Sequence, residues 1–557
     1  MASTPDEAIS YNQFICIGTG FSGIGFGATL QRWYGITDVQ FFEREAEIGG
    51  TWFLNNYPGA AADIPNLLYC FSYEPNITWS KLLPGRDELL AYLRGVADKY
   101  NVPSRTSFRS QVFRCEWLED RKRWRVHVKN LETGLVSLHE SQFLFSATGI
   151  LDQPREPDLP GLSAFAGPVF HTARWRHDID LRDKNVVVFG NGCTGTQLMP
   201  VLAPKVRHVT QFIRSKHWIV PSMQAKTIEG LKSIYRNFPG GMRLVRFILY
   251  LGAEDDFTGI HMNEKGSAWR AKKTEKMRRF IKKTAPEKYH DMLIPDFEFG
   301  CKRRVFNAGY LESLHRDNVT VTNERPQEVK PDHIVTSAGN IVKADAIVFA
   351  NGFKTERVLE GVDVIGRTQT LEEHWDELGG PGAYNTLALN GFPNFFIIVG
   401  PNAATSHTSA IMASENTVNL ALRQIKPVLD GRATTVEVTQ TAEEEHVQQL
   451  QHDLSTRVWA SGCNGWYVTK DEEGRPAWNA TLWPYSQANL WYRSLFPTKS
   501  HWQYTGTRSS HASSFGVVFY GIVVAAIFSL AAVGSGKNLF SLDNLQSWRR
   551  NMTMPPT

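Results

Sequence analysis

A glycine-rich turn near the N-terminus has the spacing that binds the pyrophosphate of a dinucleotide. The run QFICIGTGFSG places Gly18, Gly20 and Gly23 directly after a short apolar segment. The first glycine allows a tight turn, the second lets the backbone approach a pyrophosphate, and the third lets a helix pack closely on its strand. Glu43 ends the next apolar segment, 25 residues after Gly18, where a carboxylate accepts hydrogen bonds from ribose hydroxyls. We therefore expect a dinucleotide at this loop.

A second loop of the same spacing follows further along the chain, but its partner residue is basic. The run NVVVFGNGCTG places Gly190, Gly192 and Gly195 after another apolar segment, and Arg214 stands 24 residues after Gly190. A guanidinium binds a 2′-phosphate, which a carboxylate would repel, so we expect NADPH here. A solvated cation at a strand end is the alternative interpretation of Arg214. The other residues expected to contact this nucleotide are Asn191, Cys193, Thr194, Thr196, Gln197 and Ser215.

The segments around these loops alternate between strand and helix patterns. Two further apolar runs, 143–150 and 346–353, end on a glycine turn and fit crossovers between two nucleotide-binding domains. This alternation predicts an α/β fold with two Rossmann-like domains, the first interrupted by the second. The expected boundaries are 1–150 for the first part of the first domain, 151–225 and 295–345 for the two parts of the second, 226–294 for a helical insertion, and 346–510 for the rest of the first domain with a substrate pocket.

The helical insertion carries a basic run, RAKKTEKMRRFIKK, at residues 270–283. A helical lid or cap with solvated cations is one interpretation of this run. The other is that its basic face contacts anionic lipid. The sequence leaves both open.

Composition excludes several classes of protein. A chain of 557 residues exceeds one core, so two or three domains are expected. The net charge of +4 is too small to argue for nucleic acid. The six cysteines are scattered without a CxxC pair and without paired histidines, so we expect no metal site, no dithiol redox pair and a reducing compartment. These cysteines are Cys16, Cys70, Cys115, Cys193, Cys301 and Cys463.

An uncharged segment at residues 512–536 contains the apolar run FGVVFYGIVVAAIFSLAAV. About 20 apolar residues cross the hydrocarbon core of a bilayer, so this segment predicts a C-terminal transmembrane helix followed by a polar tail at 537–557. A buried core helix is the alternative. We expect an anchor in the endoplasmic reticulum membrane with the catalytic part in the cytosol, and Asn551 begins a glycosylation sequon that tests this topology.

The chain resembles the class B flavoprotein monooxygenases and, among them, the Baeyer–Villiger monooxygenases of fungal secondary metabolism. The resemblance covers roughly residues 12–502 and rests on an ordered series of motifs: GTGFSG, GGTWFLNNYPGAAADIPNLLYCFS, PGRDELLAYL, ATG, FAGPVFHTARW, GNGCTG, RSKHW, GCKRR and GFPNFFIIVGPN. It implies FAD at the first loop, NADPH at the second, and a C4a-peroxyflavin that reacts with a ketone. The implied product is an ester or a lactone.

The family fingerprint distinguishes ketone oxygenases from heteroatom oxygenases. The resemblance assigns it to Phe165, Gly167, His171 and Trp175. Related N- and S-oxygenating enzymes have Tyr or Phe where this chain has Trp175, which favours ketone oxygenation. Arg176 departs from the Pro or Asp that ends the family pattern. The resemblance implies that the fingerprint positions NADP and couples domain movement; a packed linker is the alternative.

The resemblance also assigns residues to the cofactors. The flavin contacts are Thr51, Trp52, Phe53, Leu54 and Tyr69, with Asp63 touching flavin, nicotinamide and the active-site arginine. Ala61 and Ala62 stand beside NADP, where the family often has Arg-Cys. In GCKRR, Lys302 matches a residue near the NADP phosphate and Arg303 matches the catalytic arginine.

Asp63 and Arg303 are the expected catalytic residues. A guanidinium lowers the pKa of a nearby peroxide and stabilises the alkoxide formed when that peroxide attacks a carbonyl. N- or S-oxygenation and a non-catalytic membrane-anchored flavoprotein remain alternatives. A set of aromatic residues lines the substrate pocket or packs a core: Trp466, Tyr467, Trp478, Trp483, Tyr485 and Trp491.

Overall fold

The computed structural model describes residues 9–222, 237–355, 358–463, 465–470, 473 and 476–506. Strands and helices alternate over most of this length, which confirms the α/β prediction. Within these ranges, no helix is long and apolar enough to cross a membrane. The predicted transmembrane segment, 512–536, and the predicted tail, 537–557, lie outside the described residues.

The strands and helices have the following bounds. The strands are β1 (Ser10–Ile17), β2 (Val39–Phe42), β3 (Thr106–Ser107), β4 (Ser110–Leu118), β5 (Arg123–Asn130), β6 (Val136–Ser146), β7 (Val169–His171), β8 (Asn185–Phe189), β9 (His208–Phe212), β10 (Ile219–Pro221), β11 (Val305–Asn307), β12 (Val319–Thr322), β13 (Pro326–Val329), β14 (His333–Thr336), β15 (Ile341–Lys343), β16 (Ala346–Phe349), β17 (Asp363–Ile365), β18 (Phe395–Ile397), β19 (Thr435–Val438), β20 (Thr469–Lys470), β21 (Pro476–Trp478) and β22 (Trp502–Thr505). The helices are α1 (Phe21–Tyr34), α2 (Thr51–Leu54), α3 (Arg86–Lys99), α4 (Cys193–Leu202), α5 (Gly241–Glu254), α6 (Glu264–Thr284), α7 (His290–Leu293), α8 (Tyr310–Ser313), α9 (Leu371–Leu378), α10 (Ala410–Leu429), α11 (Gln440–Ser455) and α12 (Gln487–Leu495).

The N-terminal glycine loop lies at the carboxyl ends of the parallel strands of the first sheet. Its strand order is β17-β4-β5-β6-β1-β2-β3, and β18 also pairs with β6. β1 is parallel to β2 and β6, with Ile17 in register with Phe42 and with Ser146. Because the carboxyl ends of these strands meet at one edge, the loop after β1 and the acid after β2 lie side by side.

The second sheet holds the other glycine loop. Its order is β12-β9-β8-β16-β7, and every pairing is parallel. β16 pairs with β8 through Phe349 and Phe189, so the second sheet extends past the predicted boundary at residue 345. The first four residues of the run 346–353 thus form β16, the last strand of the second sheet in chain order, and the chain returns to the first sheet only afterwards.

Aromatic packing holds α1 against the first sheet. Phe14 and Phe143 stack at 4.8 Å between ring centroids, and Phe26 of α1 stacks on Phe145 at 4.1 Å. All four side chains are fully buried. Burial of a phenyl ring contributes about 1.5–3 kcal/mol, so this cluster fixes the angle at which α1 leaves the glycine loop.

The described part of the helical insertion consists of α5, α6 and α7 with short 3₁₀ turns between them. Met277 and Ile281 of α6 are buried against the second sheet's core. Arg270, the first cation of the basic run, is only 1% exposed and donates to the Gly259 carbonyl at 3.0 Å. The expectation that the cations of this run are solvated is therefore wrong for Arg270, which ties α6 to the turn before it.

Two of the six cysteines form a disulfide. Cys301 and Cys463 are bonded, with their Cα atoms 6.1 Å apart and a sequence separation of 162. The sequence did not predict this bond, because a pair so distant in sequence has no local spacing to reveal it. The bond fastens the segment before Lys302 and Arg303 to the loop before Tyr467.

Candidate active site

The first glycine loop has the geometry of a phosphate cradle. Gly18 has φ +98°, and a Cβ on Gly23 would lie 2.0 Å from the Gly18 carbonyl oxygen, so both positions require glycine. Glu43 is 7% exposed, and its Oε2 accepts hydrogen bonds from the Thr19 amide and hydroxyl, each at 2.8 Å. The carboxylate predicted to meet a ribose therefore also holds the loop that would bind the pyrophosphate.

The second loop repeats this construction. Gly190 has φ +111°, and a Cβ on Gly195 would lie 2.3 Å from the Gly190 carbonyl oxygen. α4 begins at Cys193, so its first backbone N–H groups lie at the turn, where an anion is stabilised. Asn191 donates through Nδ2 to the Ser215 carbonyl at 2.9 Å, which joins the loop to the end of β9. Thr196 donates to the Gly192 carbonyl at 3.1 Å.

A segment after α2 contacts the start of α4. Tyr57 donates to Gln197 Oε1 at 2.7 Å, and Gln197 donates through Nε2 to the Ala61 carbonyl at 3.0 Å. Ala62 is buried beside them, and its amide donates to the Pro84 carbonyl at 2.9 Å. Burial raises the pKa of Tyr57, and a side-chain hydrogen bond with Thr194 opposes this shift. The predicted Ala61-Ala62 position is thus in contact with the second nucleotide loop.

The predicted flavin segment lies against the first loop. α2 begins after Gly50, where a Cβ would come within 2.8 Å of the Gly20 Cα atom. The ring of Trp52 meets that of Tyr69 edge-on at 5.8 Å, and Phe21 meets Tyr69 at 5.4 Å. Burial raises the pKa of Tyr69 to about 12, so its hydroxyl is protonated at neutral pH. Thr51, Phe53 and Leu54 complete α2.

Asp63 and Arg303 form an ion pair. Nε of Arg303 donates to Oδ2 of Asp63 at 2.9 Å, and Nη2 donates to the same oxygen. The side chains are 29% and 23% exposed, so the pair lies at the boundary between interior and solvent. The carboxylate of Asp63 raises the pKa of Arg303 further, which keeps the guanidinium charged. Two residues that are distant in sequence thus provide a fixed positive charge.

Two further groups share Arg303. The Cys193 thiol and the Tyr467 hydroxyl both interact electrostatically with the guanidinium, which lowers the pKa of each group. Burial raises the pKa of Cys193 to about 11, and burial raises the pKa of Tyr467 to about 12 although Arg303 opposes it. Both groups are therefore neutral at neutral pH. Cys193 is the first residue of α4, so the charge of Arg303 acts on the start of the helix that follows the second loop.

Lys302 and Arg214 form a candidate site for an anion. Lys302 is 9% exposed, and its Nζ lies 4.7 Å from the centroid of the Phe297 ring. Burial lowers the pKa of Lys302, and repulsion from the nearby Arg214 lowers it further. Arg214 is exposed at the end of β9. Two cations that repel each other beside a nucleotide loop would be stabilised by a phosphate.

The fingerprint residues are packed into the structure. Phe165 packs against the second sheet's core, and a Cβ on Gly167 would lie 2.4 Å from the Asp345 carbonyl. His171 accepts a hydrogen bond from the Ala173 amide through Nδ1 at 3.0 Å, and burial lowers the pKa of His171 to about 4. The ring of Trp175 packs edge-on against Phe170 at 5.2 Å. The imidazole is neutral at physiological pH, which fits a structural position.

Arg176, the residue that departs from the family pattern, lies on the surface. Its Nε donates to Asp178 Oδ1 at 2.8 Å, and its side chain is 56% exposed. An exposed pair of this kind contributes little to stability. The departure therefore leaves the packing of Phe165 and Trp175 unaltered.

The six aromatic residues of the C-terminal region differ in how deeply they are buried. Tyr467 and Trp483 are buried, whereas Trp466 and Trp491 are exposed by about two fifths. Trp478 donates through Nε1 to the Pro381 carbonyl at 2.9 Å, and Tyr485 packs edge-on against Trp483. In this set, Tyr467 is the residue that reaches Arg303; the sequence named it only as one of six pocket or core candidates.

The residues present fit a flavin dinucleotide and NADPH. In both loops a Cβ on the first or the third glycine would collide with backbone atoms. Glycine at these positions keeps the loop tight and the N-terminus of the following helix free to bind a phosphate. The first loop is followed by the acid Glu43, and the second by the cations Arg214 and Lys302. Asp63, Cys193 and Arg303 lie where the segment after α2 meets α4.

Comparison with known proteins shows consistent similarities. Residues 13–229 match the family model described as "Flavin-binding monooxygenase-like". A Baeyer–Villiger monooxygenase of Streptomyces coelicolor is 36% identical over 481 residues, which cover 85% of this chain and 89% of the relative. An FAD-binding monooxygenase of Aspergillus terreus is 30% identical over 85% of each chain. The crystal structure of cyclohexanone monooxygenase from a Rhodococcus species, bound to NADP+, is 25% identical; it superposes with a TM-score of 0.76 over 89% of this chain and 100% of its own.

Proposed function

The chain belongs to the Baeyer–Villiger monooxygenases of the flavin-binding monooxygenase-like family, and we propose that it inserts one atom of O₂ next to a ketone carbonyl. FAD is its flavin, NADPH is its reductant, and the product is an ester or a lactone. The observation that carries this proposal is the ion pair of Arg303 with Asp63, which acts electrostatically on Cys193 at the start of α4. The family membership supports both cofactors.

The two loops divide the cofactors between them. We assign FAD to the loop of Gly18 and Gly23, with Glu43 toward its ribose and with α2 and Tyr69 along the flavin. NADPH is assigned to the loop of Gly190 and Gly195, with its 2′-phosphate between Arg214 and Lys302. The acid of the first loop and the repelling cations of the second support this division, because only the second suits an additional phosphate.

The same division defines the domains. We assign the first sheet to the flavin and the second to NADPH, with α5, α6 and α7 as an insertion in the second. β16 belongs with the NADPH sheet because it pairs with β8 and β7.

The chemistry of the bound flavin is reduction by NADPH followed by activation of O₂. The chain's own residues supply charge and position. Arg303 presents a permanent positive charge, and Asp63 fixes its orientation through two hydrogen bonds to one oxygen. Negative charge that develops on a ketone oxygen during attack is stabilised by such a preorganised guanidinium. Cys193 and Tyr467 remain neutral, so of these three neighbours only the Asp63 carboxylate opposes that charge.

The enzyme is further proposed to be anchored to a membrane. The support is the sequence of 512–536, which is uncharged and mostly apolar. In this proposal the anchor spans the endoplasmic reticulum membrane and the catalytic part faces the cytosol.

Oxygen-dependent turnover tests the proposed function. The purified protein would be given NADPH with a panel of ketones and, in parallel, a sulfide and an amine, and the products would be identified by mass. We expect esters or lactones heavier than their ketones by one oxygen, in proportion to the NADPH consumed. Sulfoxide or N-oxide with no ester would identify a heteroatom oxygenase instead. NADPH oxidation without any oxygenated product would indicate a flavoprotein that is not a monooxygenase.

A further inference from the structure

Helix α5 has its polar and apolar sides reversed. Arg246 points inward, where its Nη1 donates to the Leu67 carbonyl at 2.7 Å and to the Cys70 carbonyl at 3.2 Å. Its side chain is only 18% exposed. The side chains that face outward are apolar, recur at helical spacing and are each at least half exposed: Leu244, Phe247, Ile248 and Leu251. A surface helix of a globular protein normally turns its apolar side to the core.

Helix α12 shows the same reversal. Arg493 donates through Nη1 to Oδ1 of the buried Asn385 at 2.9 Å. The large exposed side chains of this region are aromatic: Trp491, Tyr492 and Phe496 are exposed by 44%, 46% and 52%. The rings of Tyr492 and Phe496 lie 5.0 Å apart. Both helices therefore turn an arginine toward the protein and apolar or aromatic side chains toward the outside.

The two helices meet at their ends. The amide of Gln487, the first residue of α12, donates to Oε1 of Glu254, the last residue of α5, at 3.0 Å. Leu251 lies one turn before this junction and Trp491 one turn after it. Exposed apolar side chains that cluster in this way mark a site of interaction. We call this cluster the outer face; it consists of Leu244, Phe247, Ile248, Leu251, Trp491, Tyr492 and Phe496.

The charges around the outer face favour anionic lipid over a second copy of the chain. α12 contains no acidic residue, and Glu254, the one acid of α5, is held at the junction. Arg243, next to Leu244, and Lys499, just after α12, are exposed cations. An isologous contact would set this basic surface against an identical one. Anionic headgroups attract such cations, and Trp and Tyr are enriched at the boundary between lipid and water.

The proposed anchor would hold the catalytic part close to a bilayer. The described residues end at Gly506, and the uncharged segment begins at residue 512. An extended chain spans at most about 3.6 Å per residue, so these six steps reach about 20 Å. If 512–536 crosses the membrane, Gly506 therefore lies within that distance of the hydrocarbon core.

We propose that the outer face docks on the surface of a bilayer that contains anionic lipid. Its aromatic and aliphatic side chains enter the boundary between headgroups and acyl chains, and Arg243 and Lys499 meet the lipid phosphates. The catalytic part is then held in one orientation on the membrane. This inference rests on the proposed anchor, since the anchor brings the face to the lipid.

The test places a fluorescent label on the outer face and a quencher in the lipid. Full-length Leu251→Cys, labelled with an environment-sensitive dye, is reconstituted into vesicles of phosphatidylcholine and phosphatidylserine, with or without a nitroxide on the phosphatidylcholine acyl chain. The apolar face of an interfacial helix lies about 5–10 Å deep, so we expect the nitroxide to lower the emission about 2-fold or more. Leu135→Cys, at an exposed position beside β6, is the matched control and should keep its emission. Wild-type protein treated with the same dye gives the background from the native cysteines.

Acidic substitutions distinguish docking from chance proximity to lipid. Phe247→Glu/Ile248→Glu puts two negative charges on the outer face and should abolish the quenching at Leu251. Leu135→Glu/Val136→Glu makes the same change at another exposed apolar pair and should leave the quenching at Leu251 unchanged. Quenching should also fall in vesicles without phosphatidylserine; equal quenching there would overturn the part given to the cations. Flavin content and thermal midpoint show that each variant is folded.

The outcomes separate docking from anchoring. Flotation of the protein with vesicles, but without quenching at Leu251, would overturn the docking and leave the anchor standing. The same holds if quenching persists in Phe247→Glu/Ile248→Glu. Energy transfer between labels on two chains, without quenching by lipid, would assign the outer face to a second copy instead. Failure of the wild type to float with vesicles would overturn the proposed anchor and this inference with it.

Discussion

At the scale of single residues, Arg303 is the point at which distant parts of the chain meet. Asp63 contributes the opposing charge, Cys193 contributes the start of α4, and Tyr467 approaches from beyond the disulfide. All three neighbours restrict the guanidinium. Of the three, only the Asp63 carboxylate opposes its charge. Lys302, next to Arg303, lies near Arg214 instead, and we propose that these consecutive residues serve two different anions.

Removal of either cation near the second loop should weaken NADPH binding selectively. A hydrogen bond to a charged partner contributes about 1.5–3 kcal/mol. We therefore expect Arg214→Ala and Lys302→Ala each to raise KM for NADPH about 10-fold or more. KM for NADH should change little, because NADH lacks the 2′-phosphate. Steady-state kinetics with both nucleotides measures this.

Lys216→Ala is the matched control, since Lys216 pairs with Asp296 at 3.6 Å. Its KM for NADPH should stay near the wild-type value. An equal rise in KM for both nucleotides in Arg214→Ala would contradict the assignment of the phosphate site.

The sequence predicts contacts between neighbours in the chain better than those across the fold. The spacing of Gly18 and Glu43 is local, so their proximity could be expected from one β-α-β unit. The approach of Tyr467 to Arg303 and of Gln487 to Glu254 depends on how separate segments pack. No periodicity or motif encodes such packing, and the sequence therefore offered Tyr467 only as one aromatic among several.

At the scale of elements, the two sheets use the same device at their glycine loops. In each, a parallel strand is followed by a glycine with positive φ. The next helix packs so closely that the third glycine of the motif lies against the carbonyl of the first. The similarity of the two units could be predicted from their spacing. The position of β16 could not, because an apolar strand followed by a glycine suits either sheet.

Methyl groups at the third glycine of each loop should affect the two cofactors separately. A Cβ on Gly23 or Gly195 would collide with the carbonyl of the first glycine. We expect Gly23→Ala to lose most of its flavin absorbance after purification. Gly195→Ala should retain flavin but reduce it slowly with NADPH, as stopped-flow absorbance would show.

Gly95→Ala, within α3, is the control for this pair. A Cβ there meets no atom within 4 Å, and alanine stabilises a helix by roughly 0.5–1 kcal/mol relative to glycine. It should keep both flavin and its rate of reduction. Loss of flavin in Gly195→Ala to the same extent as in Gly23→Ala would argue against separate sites.

The disulfide should stabilise the region that carries Arg303. Closing a loop of 162 residues contributes about 2–4 kcal/mol in typical cases. Dithiothreitol is therefore expected to lower the thermal midpoint of the wild type by several degrees. The double variant Cys301→Ala/Cys463→Ala should have the lower midpoint already and show no response to the reductant. Thiol titration would show that the disulfide is fully reduced. If the thermal midpoint of the wild type is then unchanged, the disulfide does not stabilise the protein.

At the scale of the whole molecule, the order of the chain is what builds the site. The chain leaves the first sheet after β6, forms the second sheet, and returns at β17 and β18. This interruption allows Asp63 from the first part and Arg303 from the inserted part to meet. An α/β organisation with two nucleotide units was predictable from alternating patterns. The pairing of particular side chains between them was not, because it depends on the relative placement of the units.

The proposed anchor predicts how the whole protein is distributed in a cell. Full-length protein should be recovered in the membrane fraction and released by detergent but not by carbonate. A glycan at Asn551, removable by endoglycosidase, should appear if the segment after 536 enters the lumen. Asn76, which begins the sequon Asn-Ile-Thr in the catalytic part, should carry none. Quantitative recovery of the full-length protein without detergent, or a glycan at Asn76, would contradict this topology.

Arg303 is proposed to stabilise the negative charge that forms when the ketone is attacked, and reduction of the flavin does not need it. Single-turnover measurements on Arg303→Ala test it most directly, with NADPH, O₂ and a ketone that the wild type converts. We predict flavin reduction at close to the wild-type rate, with ester formation lower by about 10²–10³-fold, as for loss of one group that stabilises an oxyanion. Ester formation at the wild-type rate in Arg303→Ala would show that this guanidinium does not stabilise the reaction.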